Sequence, residues 1–371
     1  MLDATLRIIA MVVAVLACAT AQSHDVHDGP HTALSRNDDP PHAFTGERRQ
    51  EQVEQQFMRF RATGDDRLLD EAWRLIEPEL RGRPHDPDVL RTAAFIAQAR
   101  HAFDYALGLT REALALDPGD DQVRLLLASI HLVRGTVSEA DRACRALRKV
   151  PPLVTATCHA RVAVARNEIE PARSRLSALL AVVAPGSIPV EWYAWTWSVA
   201  GDLAAAAHDA AAAADCYERS LALLESTQVR AALVDALLEI GRLDHALEIL
   251  DAGPPALPLT VRRLIVTTRL GSLPSSEEIV RVDREFERWI AAEDWLHARE
   301  MARFYLDVLE RPALARHLAL INLTLQREPE DMWLERRTRS LRPTRRDQPP
   351  STRSDIAPVL TSAKGSDKPA G

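Results

Sequence analysis

His24, His27 and His31, with His42 further on, stand among Asp25, Asp28, Asp38 and Asp39. Imidazole and carboxylate side chains suit Zn, Ni or Cu. Cleavage of an export signal after Ala21 would start the mature chain at Gln22-Ser23-His24. A free amine, two deprotonated amides and a third-residue imidazole then make the square-planar set that Cu(II) and Ni(II) prefer. Cyclisation of Gln22 would remove the amine, and the plainer reading is a polar linker that contains histidines. Cys144 and Cys158 lie symmetrically about Pro151, which puts them at similar heights on an antiparallel helix pair. An oxidising compartment allows a disulfide there, provided the Cα atoms approach within about 7 Å. The alternative is that both, with Cys216, are small core residues. The chain holds no phosphate loop, H-E-x-x-H, G-x-S-x-G or C-x-x-C. His101, His131, His159, His245, His297 and His317 are scattered without metal-ligand spacing, so the pattern proposes no enzyme.

The elements that carry these residues repeat. Ala72, Ala106 and Ala140 follow one another at steps of 34 residues, and so do Pro84, Pro118 and Pro152. Ala94 and Ala128 keep the same step. A fixed period in this range signals stacked supersecondary units. One unit runs from Asp121 to Pro152. Leu125, Leu126, Ala128, Ile130 and Leu132 mark the apolar side of its first half, and Gly135 stops that helix. Val137, Ala140, Ala143, Cys144 and Leu147 mark the second half. Pro151 and Pro152 end it, because proline lacks the amide a helix interior needs.

This helix–turn–helix resembles the tetratricopeptide repeat, whose second helix carries alanine, a bulky residue, alanine and then proline. Ala106, Thr110, Ala113 and Pro118 take those places, and Gly241 with Ala246 repeats the spacing of Gly135 and Ala140. The large aromatics of the first helix are mostly Leu or Ala here. The resemblance spans roughly residues 50 to 340 and implies an all-α fold, an α-solenoid of about seven to eight stacked antiparallel helix pairs forming a superhelix. It also implies a concave binding face lined by first-helix residues. On the matching positions these are Arg91, Phe95 and Gln98, then Gln122 and Ser129, then His159 and Arg166. A mixture of cationic, amide and apolar groups suits an extended peptide. The basic-plus-Asn clamp of the chaperone-binding members is absent, since Ser129 and Asp235 stand where Asn would. Trp192, Tyr193, Trp195 and Trp197 form a further cluster. First-helix Trp is ordinarily core, whereas an exposed one would anchor a partner.

The boundaries follow composition. Residues 1–21 read as a signal peptide: Arg7, an apolar run from Ile8 to Ala19, then Ala19-Thr20-Ala21. Val15-Leu16-Ala17-Cys18 also resembles a lipoprotein signal, with Cys18 as the lipid anchor. Either way the expected address is extracytoplasmic, periplasmic or secreted, with no membrane-spanning segment in the mature chain. Residues 22–46 are a polar leader too poor in apolar side chains to fold. Residues 47–340 are the helical repeats, and 341–371 a disordered tail. Within the repeats, residues 185–189 and 251–258 are breaks. The chain has 371 residues and a net charge of −7, too mild to indicate a nucleic-acid partner. The expectation is an exported, non-catalytic scaffold that holds a protein or peptide partner in its concave face and has no cofactor. The competing expectation is a metal-handling accessory protein whose leader binds Cu, Ni or Zn.

Overall fold

The computed structural model describes residues 46–271, 276–339 and 341. The export signal, Cys18 and the histidine-rich leader lie outside them. Among the described residues there are seventeen helices and no strand. They fall into eight antiparallel pairs and a single closing helix. The pairs are α1 (Gly46–Thr63) with α2 (Arg67–Gly82), α3 (Pro87–Ala99) with α4 (Phe103–Leu116), and α5 (Asp121–Val133) with α6 (Val137–Arg145). Next come α7 (Pro152–Arg166) with α8 (Ile169–Val182), α9 (Val190–Ala206) with α10 (Ala210–Leu223), and α11 (Thr227–Glu239) with α12 (Leu243–Asp251). The last two pairs are α13 (Leu257–Arg269) with α14 (Ser276–Ala291), and α15 (Ala298–Asp307) with α16 (Pro312–Leu325). The closing helix is α17 (Pro329–Arg339). It lies at the end of the 47–340 stretch expected to hold the helical repeats.

Local chemistry explains the boundaries. Asp86 and Asp120 cap α3 and α5: each side chain accepts two backbone amides of the first turn, those of Asp88 and Val89, and of Gln122 and Val123. Pro87 and Pro152 sit in the first turn, where the missing amide costs nothing. All eight pairs reverse direction through one residue in the left-handed region: Gly64, His101, Gly135, Asn167, His208, Gly241, Gly271 and Glu310. Around five of these turns a 6→1 bond closes the helix end, as from the Thr136 amide to the His131 carbonyl at 2.8 Å. His101 and Gly135 are 34 residues apart, so the repeat fixes the turn's conformation while its residue type varies.

The periodic alanines lie in the core, where small side chains let helices pack closely. Ala72, Ala94, Ala106, Ala128 and Ala140 are all buried. Apolar burial forms two clusters, one from Val53 to Leu203 and one from Ala204 to Leu334. Each pair covers its neighbours' faces, the arrangement that makes a solenoid.

The superhelix is also closed on itself. Thr227 at the start of α11 donates its hydroxyl to the Ala62 carbonyl at 3.1 Å. A Cβ on Gly64 would lie 2.8 Å from the Ala256 side chain, at a φ of +64. The α1–α2 turn therefore packs on the sixth pair and the loop before the seventh. Further on, the Arg327 amide donates to the Val133 carbonyl at 2.8 Å, bringing the α16–α17 turn onto α5.

Candidate partner-binding groove

Closure changes what the concave residues meet. Phe95 and Gln98 are fully buried and Ser129 nearly so. Arg91 is buried too. Its guanidinium donates to Asp120 at 2.7 Å and Asp88 at 2.5 Å, and these carboxylates keep its pKa raised despite burial. Asp120 also caps α5, so Arg91 ties the second pair to the third. The expectation that these four residues lie open to a partner is corrected: Arg91 is held by Asp88 and Asp120, and Phe95, Gln98 and Ser129 are packed inside. Gln122 and His159 remain half-exposed and Arg166 exposed. His159 and Arg166 share Asp141, at 3.4 Å and 2.9 Å. Burial lowers the His159 pKa, with Asp141 opposing.

The covered groove is polar. Ser129 Oγ accepts from Arg161 at 3.3 Å. Burial pushes the Arg161 pKa down, while Glu328 and Asp202 pull the other way. Glu328 belongs to the α16–α17 turn. Arg299 of α15 gathers three carboxylates from that turn and the first turn of α17: Asp331 at 2.6 Å, Glu328 at 2.7 Å and Glu330 at 3.2 Å. Asp331 also accepts the Glu328 amide at 2.8 Å, the back-bond of a capping box at the start of α17. Burial raises the Asp331 pKa to about 6, with Arg299 opposing. Burial works in the same direction on Glu328, but Arg299 outweighs it and holds Glu328 below the usual carboxylate range.

Beside this cluster, His297 Nε2 stands 3.9 Å from Asp66 Oδ2. Burial drives the His297 pKa down to about 3 and that of His101 to about 4, and raises that of Asp66 to about 7. All three are favoured in their neutral forms. Both amide atoms of Gln98, His101 Nε2, His297 Nδ1, Glu300 Oε2 and Gln326 Oε1 are buried without a hydrogen-bond partner among the described residues. Such atoms are rare in folded proteins, which makes this interior unusual. Asp235 bonds two arginines bidentately, Arg262 from 2.6 Å and Arg303 from 2.5 Å. It therefore joins α11, α13 and α15.

The other expected residues divide. Trp192 and Trp195 are buried, whereas Trp197 is half-buried. Trp197 borders a cleft of about 770 Å³ with Tyr193, Leu176, Leu180 and Arg219. The Arg219 guanidinium lies 4.7 Å from the Trp197 ring centroid. Cys144 and Cys158 are bonded, with Cα atoms 5.7 Å apart, and both are buried. The two sequence readings of this pair, core and disulfide, therefore hold together. Cys216 is free, and burial raises its pKa to about 11. The proposed metal ligands His24, His27 and His31 lie outside the described residues. Among those described, no cluster of three histidine, cysteine or acidic side chains could hold an ion. No described helix is long and apolar enough to cross a membrane.

Sequence reasoning missed the groove's true polar members: Arg161, Arg299, Glu328 and Asp331. Arg161 lies between the expected first-helix positions, and the others fall beyond the readily aligned repeats. The buried side of Arg299 was the only available signal, since Ala298, Met301, Ala302 and Tyr305 around it make an apolar pattern.

No family model and no curated protein matches the chain. Among solved structures, Pseudomonas aeruginosa pilF is similar at 17% identity and a TM-score of 0.40, over 57% of this chain and all of that one. A tetratricopeptide repeat protein from Parabacteroides merdae is 12% identical, over 78% of this chain and 98% of its own, at a TM-score of 0.39. Yeast Tom70 is 13% identical, over 90% and 68%, at 0.45. Superpositions this loose add no argument, and the assignment rests on the helix pairs themselves. Eight antiparallel pairs in series, reversing through one recurrent left-handed turn, with buried alanines on a 34-residue step through the first three pairs, make this a tetratricopeptide-type α-solenoid.

Proposed function

We propose that the protein is a non-catalytic, exported adaptor that holds a protein or peptide partner along the concave side of its solenoid. The observation that carries this reading is that Gln122, His159 and Arg166, on the first helices of the third and fourth pairs, keep access to solvent. Together they offer amide, imidazole and guanidinium groups, which suits an extended chain. The Cys144–Cys158 bridge supports an extracytoplasmic address, because disulfides persist in oxidising compartments.

The test is cross-linking in cells of the full-length protein, followed by capture and mass spectrometry. The expected result is one dominant extracytoplasmic partner, cross-linked near Gln122, His159 or Arg166. Cross-links confined to the convex second helices would overturn the reading.

A further inference from the structure

The cleft of about 770 Å³ beside Trp197 is bounded by α8, α9 and α10, the second helix of the fourth pair and both helices of the fifth. Leu176, Leu180, Tyr193 and Trp197 give it an apolar wall, and Arg219 with Asp215 a charged edge. The same lining includes Val182, the most exposed large apolar side chain among the described residues at 77%. Deep apolar lining that continues onto an exposed apolar rim marks a surface that something covers.

The chain itself carries a segment of matching chemistry. From Arg342 to Gly371 the only Val, Ile, Leu, Met or aromatic side chains are Ile356, Val359 and Leu360, gathered together and headed by Asp355. An apolar triplet in so polar a stretch gains by leaving water. The charges match as well. The Arg219 guanidinium lies 4.7 Å from the Trp197 ring centroid, at the edge of the apolar wall. Its partner is Asp215 at 2.9 Å, one helical turn away, and both side chains are more than half exposed. Such a surface pair holds weakly, so another carboxylate can take the guanidinium at little cost. Reach is sufficient. The chain enters α17 from a turn bonded to Val133 of α5, and α5 packs on α7, which packs on α9. With packed helices about 8–10 Å apart and α17 about 16 Å long, that path is roughly 40 Å. Residues 342–355 span at most about 50 Å.

We propose that residues 355–360 of this chain dock in the α8–α9–α10 cleft, with Ile356, Val359 and Leu360 on its apolar wall and Asp355 on Arg219. The inference goes beyond the adaptor reading and does not rest on it, since Gln122, His159 and Arg166 are not part of this cleft. A tethered segment meets its site at an effective concentration of about millimolar, so even weak docking keeps the cleft filled.

Cys216 reports on the site, because it lines the cleft and is a free thiol. Its labelling by iodoacetamide, read on the Cys216 peptide by mass spectrometry, is compared in the full natural chain and in the full Ile356→Ser/Val359→Ser/Leu360→Ser chain. The substituted chain is expected to label about fivefold faster, the factor being set by the fraction of molecules whose cleft is covered. Equal rates overturn the proposal. So does protection that grows with protein concentration, which places the segment of a second copy in the cleft.

A labelled synthetic peptide copying residues 352–363, titrated by fluorescence anisotropy, gives the second readout. The substituted chain, its cleft free, should bind this peptide about tenfold more tightly than the natural chain, whose own segment competes. Adding Arg219→Asp to the substituted chain should weaken that binding, and a peptide carrying Asp355→Arg should regain it. Binding that is equal in the natural and substituted chains, or indifferent to both charge reversals, overturns the proposal. Arg219 is exposed, and circular dichroism checks that its reversal keeps the helix content. If helix is lost, the labelling comparison, which alters no described residue, decides alone. Failure of these tests leaves the adaptor reading standing, and cross-links confined to the convex second helices would refute that reading without touching this one.

Discussion

Removing the Cys144–Cys158 bridge should loosen one junction of the solenoid and leave the rest intact. The bond joins α6 to α7 across the 146–151 loop, with a sequence separation of 14. On the chain-entropy account, closing a loop of this size costs the unfolded chain about 3 kcal/mol of freedom. In a solenoid, stability is close to a sum of neighbour interfaces, so the loss falls on the third and fourth pairs. Converted to a local opening equilibrium, that is roughly a hundredfold. Hydrogen exchange of a Cys144→Ala/Cys158→Ala chain should therefore accelerate by about this factor in α6 and α7. Little change is expected in α15, which belongs to the other apolar cluster. The reasoning fails if exchange in α6 and α7 is unchanged. It also fails if both thiols alkylate in denatured protein that was never reduced.

Three further outcomes follow from single side chains. Asp235→Ala leaves Arg262 and Arg303 buried without their shared carboxylate, which should cost about 3–5 kcal/mol in urea unfolding; a loss below about 1 kcal/mol would show that the pair does not depend on it. His208 adopts a φ of 60 and, apart from its backbone bond to Ala205, makes no described contact, so His208→Gly should stabilise the fold by about 1 kcal/mol; a destabilisation would place an unrecognised contact on the imidazole. Burial holds Cys216 as the thiol up to a pH near 11, so iodoacetamide should label it far more slowly than a free cysteine at pH 8 and catch up as the pH rises. Labelling at the free-cysteine rate at pH 8 would contradict that burial.

Much of the architecture was legible because helix periodicity and turn chemistry are local. The face marked by Val53, Phe57 and Phe60 is core, and the 63–66 turn, the 185–189 break and the reversal at His208–Asp209 all fall between helices. The Trp192–Trp197 run divides as first-helix packing dictates, two indoles inside and one at a cleft. The shared left-handed turn was visible at Gly135 and Gly241, but His101, Asn167 and His208 concealed it, since residue type does not fix a backbone conformation that neighbours impose. α17 escaped notice because its charged sequence carries one deeply buried apolar anchor, Leu334.

By itself the sequence determined the unit: a 34-residue step, alanines on that step, proline and aspartate at helix starts, and hence a stack of antiparallel pairs. Each of those features acts within one pair or on its immediate neighbour. Only the tertiary structure decided what the concave face meets. The small rotation added by each pair accumulates until Thr227 reaches Ala62 and Arg327 reaches Val133. That sum turns Phe95, Gln98 and Ser129 from an open face into an interior, and sets Glu328 against a cation from the fourth pair. No local pattern carries it, because a per-pair rotation too slight to mark any one repeat becomes decisive only after six of them.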